Sequence, residues 1–63
     1  MSNYDKSELE EAVKSISSTL SKCEKSLDKL REGTSKHTLT KRRIKSFHIS
    51  LALIGKELSN ISE

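Results

Sequence analysis

Few side chains here carry groups that could make or break bonds: one cysteine, Cys23, and two histidines, His37 and His48. A thiolate could serve as a nucleophile, and an imidazole as a base or a metal ligand. The three are too few and too scattered along the chain for a zinc-type ligand set. No glycine-rich phosphate loop, nucleophile elbow or paired-carboxylate arrangement accompanies them. Cys23 falls on an apolar helical stripe, where a small thiol is a packing residue. His48 is expected to face Glu24 across a helix pair as a structural contact, and His37 to sit solvated near a turn. The sequence therefore predicts no enzyme, no metal and no cofactor.

The chemistry that does stand out is cationic. Lys36, His37, Lys41, Arg42, Arg43, Lys45 and His48 crowd one segment, with no acid between Gly33 and Lys56. Residues 1–32 hold six Lys/Arg and seven Asp/Glu, whereas residues 33–63 hold six and two. The excess lies at a predicted helix start, where the dipole disfavours cations and a sequence tuned only for stability would carry acids. Lys36, Lys41, Arg42, Arg43 and Lys45 are thus the candidate anion-binding residues, for an acidic protein surface or, as the alternative, for nucleic acid. Two features weigh toward protein. The four cations from Lys41 to Lys45 point in different directions at 100° per residue, and Phe47 and Tyr4 are misplaced for base stacking. Some of the cations could also pair with Glu24, Asp28 and Glu32 across the helices.

Two apolar rows must position all of this. Leu9, Val13, Ile16, Leu20, Cys23, Leu27 and Leu30 are spaced 4-3-4-3-4-3, as are Thr40, Ile44, Phe47, Leu51, Ile54, Leu58 and Ile61. An average of 3.5 residues keeps one narrow seam on one side of an α-helix. The expected fold is all-α, a single antiparallel two-helix hairpin. Met1 to Tyr4 form a lead-in, helix one spans about 6–31, the turn about 32–35, and helix two about 36–60. Overlapping capping boxes, Asp5 with Glu8 and Ser7 with Glu10, open helix one. Gly33 in the left-handed conformation should close it. Ser35, with Thr38 as the other choice, should cap helix two. Two registers are open: Leu27 facing Phe47 with Cys23 facing Leu51, or Leu27 facing Ile44 with Cys23 facing Phe47.

Helix two carries more apolar surface than its seam needs. Ile49 and Leu53 lie four apart on the opposite side, Leu39 projects roughly the same way, and Ala52 and Gly55 add small residues beside them. A chain of 63 residues buries only about 60% of its unfolded surface and needs a further source of stability. One cysteine permits no intrachain disulfide, so self-association is the route left. Leu39, Ile49, Ala52, Leu53 and Lys56 are the candidate interface of a homodimer, closing into a four-helix bundle.

With a net charge of +3, 33% charged residues and no proline, the composition suits long solvated helices. No apolar run approaches the ~20 residues that span a bilayer, and no hydrophobic leader stands at the start. A lone cysteine fits a reducing compartment, so the expected location is cytoplasmic and away from membranes. The length and two-helix plan resemble the plasmid copy-number proteins that dimerise as α-hairpins and bind paired RNA loops, although no motif aligns. The functional expectation is a small interaction module, a regulator or inhibitor of the kind carried by bacterial genomes and their mobile elements.

Overall fold

A computed structural model describes residues 4–61. Its described part is two helices packed against each other, α1 (Lys6–Leu27) and α2 (Ser35–Asn60), with no strand among the described residues. Residues 1–3 of the expected lead-in lie outside the described residues.

The start of α1 follows from one side-chain pair. The Asp5 carboxylate accepts from the Glu8 amide at 2.8 Å, and the Glu8 carboxylate accepts from the Asp5 amide at 3.1 Å. That is the first of the two expected capping boxes. Ser7, anchor of the second, lies inside α1 instead. The helix ends sooner than the heptads imply, at Leu27 and not near 31, with Asp28 as its C-cap. The Lys29 amide donates to the Ser26 carbonyl and the Leu30 amide to the Leu27 carbonyl. These shorter-range bonds tighten the last turn and leave Leu30 half-buried outside the helix.

Gly33 does adopt a positive φ, 88°, but it stands beside the start of α2 and not at the end of α1. Thr34, not Ser35, is the N-cap: its hydroxyl accepts from the His37 amide at 3.2 Å and donates to the Arg31 carbonyl at 2.7 Å. Ser35 becomes the first helical residue.

The seam holds the helices together. All fourteen positions of the two apolar rows are half-buried or buried, joined by Ala12, His37, Ser50 and Glu57. The interior is thin, however. Only Leu9 and Leu20, each 8% exposed, and Thr40 at 9% count as buried, and no described side chain is fully enclosed. Leu9 lines one recess with Leu53, Ile54 and Glu57. The register with Leu27 facing Phe47 would carry Leu9 past the end of the chain. The structure therefore lies nearer the register that sets Leu27 toward Ile44.

Candidate interaction surface

Outside its seam, α2 carries the exposed large aliphatics. Leu39 is 45% exposed, Ile49 51% and Leu53 61%, while Ala52, Gly55 and Lys56 are exposed beside them. A β-carbon added at Gly55 would meet nothing within 4 Å, so this flank is open. The five candidate interface residues therefore lie on one helix and in solvent. Sequence reading missed that Leu39, Arg42, Ser46, Ile49, Leu53 and Lys56 follow a 3-4-3-4-3 spacing. α2 thus has a second heptad row opposite its seam, and the signal was present in the spacing.

At the open end of the hairpin, Leu53 contributes to an apolar recess of about 450 Å³. Its other apolar walls are Tyr4, Leu9, Ala12 and Ile54, and Glu8 and Glu57 supply two carboxylates. Exposure of Leu53 thus comes with a concave neighbourhood. Only the register of α1 against α2 creates this recess, so nothing in either helix alone announces it.

The cations gather at the other end. Lys36, Lys41, Arg42, Arg43 and Lys45 are all exposed, and His37 is half-buried. A second open recess, about 510 Å³, brings Lys41 and Arg42 together with His37, Thr38, Gly33 and Glu32. Lys36, Arg43 and Lys45 lie outside it. Pairing across the helices is sparse. Among the described residues the one ion pair within 4.0 Å is His48 Nε2 to Glu24 Oε2 at 3.6 Å, with the side chains 59% and 53% exposed. The five candidate cations make no such pair with Glu24, Asp28 or Glu32.

Cys23 is a half-buried free thiol in the seam. Among the described residues no group of three or more His, Cys, Asp or Glu side chains could hold a metal ion. No helix among the described residues is long and apolar enough to cross a membrane. The fold class is thus a two-helix α-hairpin with one spare apolar face. No protein-family model, curated protein or solved structure matches this chain.

Proposed function

We propose that this protein is a small non-enzymatic interaction module that self-associates through the outer face of α2 into a homodimeric four-helix bundle. The observation that carries this reading is the row of exposed aliphatics, Leu39, Ile49 and Leu53, on a hairpin with two buried hydrophobic residues among those described. Surface area supports it. The chain exposes 5143 Å², whereas a folded monomer of 7.1 kDa exposes about 4,100 Å². The excess, roughly 1,000 Å², is comparable with the ~800 Å² each partner contributes to a stable interface. As a dimer the protein would still present exposed cations of the α2 start, Lys41 and Lys45, to an acidic partner surface, acting as a regulator or inhibitor inside the cytoplasm.

Light scattering on a gel-filtration column tests the assembly. A dimer is expected for the native chain and a monomer for Leu53→Lys, which places a charge in the apolar row while leaving the seam intact. A native monomer whose helicity ignores dilution would sink the proposal.

A second reading, nucleic-acid binding, is favoured by one observation: the candidate cations are exposed and unpaired with the acids of α1. Arg42→Glu/Arg43→Glu should then abolish binding, and affinity should fall steeply as salt rises. Binding indifferent to salt would refute this reading. With one tyrosine and no tryptophan, any co-purifying nucleic acid would dominate absorbance at 260 nm.

A further inference from the structure

We propose that each copy carries both halves of its own docking contact. Leu39, among the cations of the α2 start, seats in the apolar recess at the open end of a second, antiparallel copy. This rests on the self-association reading and specifies how the two copies meet.

Three observations combine. The recess is almost wholly apolar, walled by Leu9, Leu53 and Ile54 among others, and its two charged contributors, Glu8 and Glu57, are both acidic. Leu39 is 45% exposed, and its helical neighbours Lys36, Arg42 and Arg43 are exposed cations without an ion pair among the described residues. An apolar residue ringed by cations thus matches an apolar recess edged by carboxylates, in shape and in charge.

Position along the helix decides the orientation. Leu39 and Glu57 are eighteen residues apart, which is about five turns, so both lie on one line of α2. Leu39 and Leu53 are fourteen residues apart, about 21 Å along the axis. When a second copy runs antiparallel, Leu39 of each copy meets Leu53 of the other, and the two contacts are identical. The two-fold axis then passes beside Ser46, midway between them, a small exposed residue in the same row. Such a contact closes on itself at two copies. Glu57 of one copy is brought to the amide-rich start of α2 in the other, where a carboxylate is welcome and counters the approach of the neighbouring Lys56 to Lys36. A parallel arrangement would instead stack Arg42 on Arg42 and Lys56 on Lys56, two like-charge contacts within the row itself, which repulsion opposes.

The test is a charge exchange read by light scattering and sedimentation. Glu57→Lys adds a cation near the C-terminus of α2, and Lys36→Glu adds an acid near its N-terminus. Both changes favour the helix dipole, and circular dichroism of each variant separates weakened assembly from unfolding. Each variant alone should dimerise about tenfold or more weakly than the native chain, because both of its contacts become repulsive. An equimolar mixture should recover native assembly, since a mixed pair restores attraction at both contacts. A native dimer with unaffected variants, or with a mixture that does not recover, overturns the docking mode and leaves self-association standing. A native monomer overturns self-association itself. Cysteine crosslinking supplies a second readout on a Cys23→Ser background. Ser46→Cys should oxidise readily to a linked dimer, while Asn60→Cys should not. Crosslinking at both positions would mean a parallel dimer, and failure at Ser46 in a dimer would displace the axis. Either result overturns the proposal.

Discussion

The Thr34 hydroxyl donates to the Arg31 carbonyl and accepts from the His37 amide, so one side chain ties the turn to the first turn of α2. Gly33 beside it has φ 88°, and a β-carbon there would meet nothing within 4 Å. The cost of Gly33→Ala is therefore conformational alone, about 1 kcal/mol. Gly55 lies inside α2 with equally open surroundings, and Gly55→Ala should stabilise by about 0.5–1 kcal/mol. Thermal melts followed by circular dichroism should show the two substitutions moving Tm in opposite directions. Shifts of the same sign would contradict the backbone argument. The sequence shows that a cap must lie near Thr34, Ser35 or Thr38. It cannot choose among them, because the choice depends on where the Arg31 carbonyl points once the chain has turned.

At the scale of the elements, the seam is legible residue by residue. Every apolar position from Leu9 to Ile61 in the two rows is removed from full exposure, because the 3.5-residue period is a local property of sequence. The end of α1 is less legible. Leu30 continues the apolar row and is half-buried, yet its backbone has already left the helix. Burial of a side chain does not require helical backbone, and the reversal toward Gly33 takes precedence here. Inside the seam, Leu20 and Thr40 are buried to similar extents, 8% and 9% exposed, but with opposite chemistry. Leu20→Ala should cost about 2–3 kcal/mol, the lower part of the usual range, since this thin interior can relax around the gap. Thr40→Val replaces a hydroxyl by a methyl at nearly constant volume and should raise stability by less than about 0.5 kcal/mol, since no buried hydroxyl is left unsatisfied here. Urea midpoints should move down for the first and up for the second. A loss with Thr40→Val would mean that the hydroxyl contributes to the packed state.

The whole molecule is a rod, with extents of 45 × 18 × 15 Å and a radius of gyration of 14.2 Å, against about 10.6 Å for a compact chain of this length. Two helices share one seam, and α2 keeps a second row in solvent, in which Leu39, Ile49 and Leu53 are the apolar members. That row is readable from sequence because Ile49 and Leu53 are four residues apart. The recess beneath Leu53 is not, since it needs the interhelical register, which depends on how the seven residues 28–34 turn. Covering the second row should make stability depend on concentration. Tm should rise with protein concentration for the native chain, as linkage of folding to association requires, and remain constant for Leu53→Lys. A native Tm independent of concentration would contradict coupled assembly.

The absence of any fully enclosed side chain among the described residues also bears on how long the protein lasts in a cell. Cooperative opening is resisted chiefly by buried contacts, so a lone hairpin with so few exposes its peptide bonds often. Proteases sample that open population when reclosing outpaces cleavage. Lifetime should then follow assembly: paired copies persist, and unpaired copies are cleared. Turnover would be fastest when the chain is scarce and would slow as its concentration rises.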